Sequence, residues 1–313
     1  MDNAWALKLL RACNLAYLIH AESTDIAPGP EADALIAAIG TKREAIQVSV
    51  HGANLIDACL FAKTGDGDGI LAFRGTLPPA AAKGTIDDLF AVARDWLQDA
   101  EAALVADPDF GGKVHFGFRH ALEGMWDDIK LFIRGSGIRN LYVTGHSKGG
   151  SLSHLAAYRL ARTVMPVTEV YSFAAARAGD AAFVSAFNTM IPKCWRFEYQ
   201  DDAVPHLPPS TLGWLDHLQL YRSENPGHRI GQSEAADWFE DLLTRLEGMR
   251  GYESAGVLQF IDWETQPGIR SDSFLLSARR NLSLAELLIE LMIPKIASDH
   301  SSTGGYHAGV SRS

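Results

Sequence analysis

Ser147 stands in Gly145-His146-Ser147-Lys148-Gly149-Gly150, with the apolar run Leu141-Tyr142-Val143-Thr144 before it and a helix-forming run after it. A serine hydroxyl is a weak nucleophile until a neighbouring base takes its proton and a third group orients that base. A G-x-S-x-G segment at a strand-to-helix junction supplies the position: the tight turn lifts Oγ above a sheet edge, and small flanking residues let the chain pass close to other backbone. The helix starting there offers free N–H groups and the positive end of its dipole to charge that develops on an attacked carbonyl. The five-residue pattern alone also fits an ordinary glycine-rich turn, so the reading depends on finding the partners.

Asp202 fits the acid. It follows the strand-like Cys194-Trp195-Arg196-Phe197-Glu198-Tyr199 and opens the loop DAVPHLPP, whose prolines stiffen it. Asp201 is the neighbouring competitor, and a solvent-facing loop carboxylate is the plain alternative for either. Five histidines follow: His206, His217, His228, His300 and His307. His206 is too close to Asp202 on the same loop to reach across, whereas His300 and His307 lie in the glycine- and serine-rich SDHSSTGGYHAGV, suited to returning an imidazole over a sheet edge. Both stay open as the base. His146 should point away from the nucleophile and serve as a structural hydrogen-bonder.

The elements around these residues alternate. AIQVSV, LIDACLFAK and GILAFRG read as strands; GDGDG between the last two lacks the remaining ligand positions of a calcium loop and reads as a hairpin turn. Phe118, Leu122, Met125, Ile129 and Phe132 recur at helical spacing ahead of the strand NLYVTG. A helix from Gly149 or Gly150, the strand VTEVYSFAA, a helix over Ala181–Phe187 and the strand CWRFEY follow. This order predicts an α/β fold with a mostly parallel central sheet and helices on both faces. From about 210 to 295 the pattern loosens around helices near 235–246 and 282–295 and the strand-like GVLQFIDW. One domain spanning 1–313 is expected, with that stretch as a cap or extension.

Composition narrows the function classes. A net charge of −10 and a pI near 5.5 argue against nucleic-acid binding, which needs clustered Lys and Arg. Cys13, Cys59 and Cys194 are isolated, so neither a disulfide framework nor a CxxC metal site is indicated. The start, MDNAWALKLLRACNLAYL, reads as an amphipathic helix and not as a leader peptide, and no run reaches the length of a membrane span. A reducing, cytoplasmic compartment is expected, or secretion if a leader has been removed.

The ordered set AFRGT, RDWLQD, VHFGF, VTGHSKGG, SFAAARAGD and DAVPHLPP, from Ala72 to Pro209, resembles the class 3 lipase family, in particular bacterial-type members with a GHSKGG elbow. The resemblance implies an α/β-hydrolase fold and a carboxylic-ester hydrolase with Ser147 as nucleophile, Asp202 as acid and Thr76 in the oxyanion hole. The backbone N–H of Lys148, next after the nucleophile, is the expected second oxyanion donor. The DH…Y order at Asp299, His300 and Tyr306 resembles the end of many bacterial members and implies His300 over His307. The sequence departs from the family in having Lys148 where an apolar residue is usual, and in its long interval from Asp202 to His300. Residues 77–97 stand where the family has a lid, and Ile86, Leu89, Phe90, Ala93 and Leu97 form an apolar stripe there. The implied partner is a lipid or other ester, met in solution or in transient contact with a lipid interface. The reaction requires no cofactor and no metal. Lipase, phospholipase A1 and short-chain or aryl esterase remain alternatives within the class; a lipase-like interaction module without activity is the alternative outside it.

Overall fold

A computed structural model describes residues 1–19, 25–52, 57–76, 102–225, 243–262, 269–271, 280–285 and 299–312. The expected lid at 77–97 lies outside these residues, as do most of the helices expected near 235–246 and 282–295, of which 243–248 and 280–285 are described as helical.

Eight strands form the main sheet in the order β1 (Ile46–His51), β2 (Asp57–Lys63), β3 (Gly69–Phe73), β6 (Leu141–His146), β7 (Glu169–Phe173), β9 (Cys194–Tyr199), β11 (Val257–Ile261) and β12 (Ile269–Ser271). The β1–β2–β3 and β11–β12 pairings are antiparallel; β3, β6, β7, β9 and β11 run parallel. Gly145 on β6 pairs with Phe73 on β3 and with Ser172 on β7, and Ser172 pairs with Arg196 on β9. The segments leaving β3, β6 and β9 therefore emerge at one edge, which brings Thr76, Ser147 and Asp202 to the same side of the molecule although they are far apart in sequence. This is the α/β-hydrolase arrangement. The strand Val257–Ile261 of the loosely patterned stretch belongs to this sheet.

The strand-rich core is apolar on both faces. Helix α1 (Asn3–Tyr17), whose N-terminal N–H groups are capped by Asp2, buries Leu9, Leu10, Cys13 and Ala16 on one face with Ala62, Ala72, Phe173 and Phe197. On the other face, α3 (Phe116–Ser136) buries Leu122, Met125 and Ile129, and α4 (Lys148–Thr163) buries Leu152, Leu155 and Ala156. Helix α2 (Pro30–Ala38) packs on α1. A smaller sheet, unforeseen because its strands are too short to show alternation, joins β4 (Leu104–Ala106), β5 (Lys113–His115), β8 (Gly179–Asp180) and β10 (Tyr252–Glu253). Helices α5 (Ala181–Met190) and α6 (Trp214–Glu224) complete this side.

The segment expected to be a glycine-rich loop around His300 and His307 is a turn followed by a helix, α7 (Gly305–Arg312). Its glycines are packing residues. A Cβ on Gly305 would fall inside the Tyr199 ring contact, and one on Gly309 would press on Ile261. Replacing Gly305 with Ala should therefore force α7 away from β9 and lower stability by about 1–3 kcal/mol, the usual cost of overpacking. Thermal unfolding measures this; a variant as stable as the parent would contradict the packing role.

Candidate active site

Ser147 adopts φ 58° and ψ −130°, a conformation that costs a non-glycine residue roughly 1–3 kcal/mol and is retained only where the surroundings impose it. Here they do. Its N–H donates to the Phe173 carbonyl at 2.9 Å, and its own carbonyl accepts from Gly150 N–H at 2.9 Å. A Cβ on Gly145 would collide with the Gly149 carbonyl, and one on Gly149 with the Phe73 carbonyl, so the elbow closes only with glycine at both places. Ser147 Oγ is buried and has no hydrogen-bond partner.

Asp202 sits in the turn after β9 with its side chain fully buried. Its carboxylate accepts from Val204 N–H at 3.0 Å, from the Tyr306 hydroxyl at 2.7 Å and from His300 Nδ1, which lies 3.0 and 2.9 Å from the two oxygens. Burial, and then the neighbouring Asp202 charge, push the Tyr306 phenol far above its ordinary value, so it remains a donor. Tyr306 also accepts from Tyr199 N–H at 3.0 Å, which ties α7 to β9. A carboxylate can only accept, so His300 carries its proton on Nδ1 and keeps Nε2 free to take another. His307 is on α7, 3.5 Å from Ser311, and Asp201 is turned elsewhere: it is buried, not solvent-facing, and accepts from Ser283 at 2.7 Å.

His146 stiffens the base from below. Its Nε2 donates to the His300 carbonyl at 3.0 Å, which leaves Nδ1 to accept from the Tyr17 hydroxyl of α1 at 2.8 Å. Burial, reinforced by His300, holds His146 well below its ordinary value near 6.5, so it is neutral, as this pairing requires. Arg74, just before Thr76, is buried and donates to the Ile19 carbonyl at 3.0 Å.

Lys148 turns away from the nucleophile. Its Nζ lies 2.6 Å from Asp57 Oδ1 at the start of β2, close but not aligned as a hydrogen bond, and both side chains are about nine-tenths buried. The ammonium thus braces the first residue of α4 against the sheet, leaving the Lys148 N–H at the helix start. Thr76 is the last described residue before the 77–101 stretch, and its Oγ1 is buried without a hydrogen-bond partner. The structure thus joins His300 to Asp202 and sets Ser147 at the same sheet edge. Tyr17, Asp57 and the role of Tyr306 were not foreseen; of these, only Tyr306 had a signal in the sequence, as the final residue of DH…Y. Among the described residues no group of three or more His, Cys, Asp or Glu could hold a metal ion.

Residues 70–212, somewhat under half of the chain, match the family model for lipase (class 3). Secreted mono- and diacylglycerol lipase 1 of Fusarium solani is 32% identical over 136 residues, 39% of this chain and 40% of that protein. Secreted mono- and diacylglycerol lipase A of Penicillium cyclopium is 28% identical over 165 residues, 51% of this chain and 49% of that protein. The chain thus spans at most about half the length of these curated relatives. Rhizomucor miehei lipase in complex with its propeptide superposes with a TM-score of 0.57 at 18% identity, over 98% of this chain and 80% of that one. A structure from a family of fungal lipases superposes with a TM-score of 0.58 at 18% identity, over 96% of this chain and 97% of that one. At such identities the likeness speaks for the fold.

Two predictions follow from the buried charges. Lys148→Leu should cost roughly 3 kcal/mol of stability, the low end for breaking a buried pair because Arg74 still faces Asp57, and Lys148→Leu with Asp57→Leu should recover most of it. Urea unfolding of the three variants decides; an additive loss in the double variant would contradict the pairing. Second, burial holds His146 well below 6.5 and His154 and His206 at about 3, so all three stay neutral in the folded chain while the unfolded chain protonates them near 6.5. The unfolded state then binds more protons as pH falls. Their contribution is complete above about pH 6.5 and is lost on acidification by up to ~1.4 kcal/mol per pH unit for each. Urea midpoints at pH 7, 6 and 5 should fall steadily; a flat profile would contradict this.

Proposed function

We propose that the chain is a serine carboxylic-ester hydrolase of the class 3 lipase type, acting on acylglycerols through Ser147, His300 and Asp202. The observation that carries this is the doubly contacted His300 Nδ1–Asp202 pair, at the sheet edge where the turn after β6 holds Ser147 at positive φ. Asp202 fixes the tautomer, so Nε2 of His300 takes the Ser147 proton as Oγ adds to the ester carbonyl. The oxyanion is stabilised by Thr76 and the Lys148 N–H at the start of α4. Collapse of the tetrahedral intermediate transfers the proton from His300 to the leaving alcohol; water then attacks the acyl-enzyme by the same route in reverse. The names of the fungal relatives support an acylglycerol as the ester. A reducing, cytoplasmic setting is supported by Cys13, Cys59 and Cys194, all buried and unpaired, although those relatives are named as secreted.

Turnover of a soluble p-nitrophenyl ester tests the assignment. Ser147→Ala, His300→Ala and Asp202→Asn should each lower kcat by about a thousandfold or more, since the three act as a unit. Asp201→Asn and His307→Ala should stay within about tenfold of the parent. Parent-like turnover by folded Ser147→Ala overturns the reading; a dead His307→Ala with an active His300→Ala moves the base while keeping the chemistry.

A further inference from the structure

A polar cavity of about 340 Å³, whose lining does not include Ser147, has Arg177, Arg196, Glu198, His206, Glu253 and Arg280 in its wall. Arg196 and Arg280 both form ion pairs with the buried Glu198. Arg177 is held by neutral acceptors: Nε donates to Ser254 Oγ at 3.1 Å, and one terminal nitrogen donates to the carbonyls of His206 and Pro208, each at 3.0 Å. Burial lowers Arg177 to about 10, with the nearby Glu253 opposing that shift. Arg280 donates to His206 Nε2 at 3.2 Å, so this nitrogen accepts, and the neutral imidazole carries its proton on Nδ1. Neither that Nδ1–H nor the Nε–H of Arg280 has a hydrogen-bond partner, although His206 is 7% and Arg280 6% exposed. Buried donors without an acceptor are rare and unfavourable. The Glu198 oxygens also lack hydrogen bonds, but they are matched in charge by Arg196 and Arg280; the two unmatched donors share the wall with the part-buried Arg177, whose hydrogen bonds all go to neutral acceptors.

We infer that this cavity binds a compact oxyanion of the phosphate type, seated against Arg177, Arg280 and His206. Two guanidinium groups and an imidazole N–H present several donors to one centre, which suits an anion with several oxygens. The volume is at the small end of the range for ligand sites, and the wall is mainly polar, so a phosphate or phosphorylated head group fits where an acyl chain does not. Occupancy acts on the acid loop, because Arg177 grips the carbonyls of His206 and Pro208, a few residues beyond Asp202. The site is independent of the chemistry at Ser147 and stands or falls without it.

The test uses the full chain with inorganic phosphate against sodium chloride at matched ionic strength and pH 7, read by thermal unfolding and by titration calorimetry. Phosphate should give a saturable rise in Tm and a one-site binding isotherm. Ser254→Asp, which sets a carboxylate beside Arg177, should raise Tm without phosphate and weaken phosphate binding at least tenfold. Asn281→Asp, which adds negative charge to the wall without touching the Arg–Glu198 pairs, should weaken it similarly and decides the matter if Ser254→Asp does not fold. Co-sedimentation with phosphatidylglycerol and phosphatidylcholine vesicles separates the sources: binding to the former that Asn281→Asp abolishes marks a lipid head group, and a response to free phosphate alone marks a soluble ligand. No saturable response to phosphate or to either vesicle, or a response unchanged in both variants, overturns the site.

Discussion

A carboxylate taken wholly out of water at position 202 must be surrounded by donors, because an unpaired buried charge costs several kcal/mol. Its donors come from three places: Val204 in its own loop, His300 in the turn before α7, and Tyr306 on α7. Only Val204 is local. The other two are delivered by the last described helix and the turn before it; the helix's glycines let it approach β9 and β11 closely enough for Tyr306 to bridge Tyr199 and Asp202. The packing of α7 and the orientation of His300 are thus one problem, solved by one buried anion.

A second layer holds the other side of the base. The chain from Tyr17 through His146 to the His300 carbonyl places α1, β6 and the C-terminal turn in a single hydrogen-bonded line beneath the nucleophile. Lys148 and Asp57 brace the helix start from β2. These contacts restrict the motion of the imidazole and of the elbow at once, so the strained serine conformation and the base orientation are maintained by the same core that gives the protein its stability. The expense of this arrangement is a buried histidine, His146, that must stay neutral.

What could be read in the sequence was what is encoded locally. The elbow was legible because strand, glycines, serine and helix are contiguous from Leu141 to Thr163, and the alternation of strands and helices made the parallel sheet legible as well. Contacts between distant residues were not. The residue types around His300 and His307 do not say which one meets a carboxylate 98 positions earlier than the first; only the DH…Y resemblance pointed to His300. Lys148 read only as a departure from the family because its partner, Asp57, lies at the start of another strand. The glycines of 304–309 carry the signal of a loop, yet at 305 and 309 they serve close approach within and onto a helix. The short strands of the second sheet pair too few residues to show a period.

A Ser147 nucleophile activated by the His300–Asp202 pair should react covalently with an organophosphorus electrophile. The folded chain is incubated with a fluorophosphonate, its intact mass is followed over time, and the modified peptide is sequenced. A single adduct on Ser147 is expected, forming quickly in the parent and far more slowly in His300→Ala. No adduct, an adduct on another residue, or labelling of Ser147 at the same rate without His300 would contradict it.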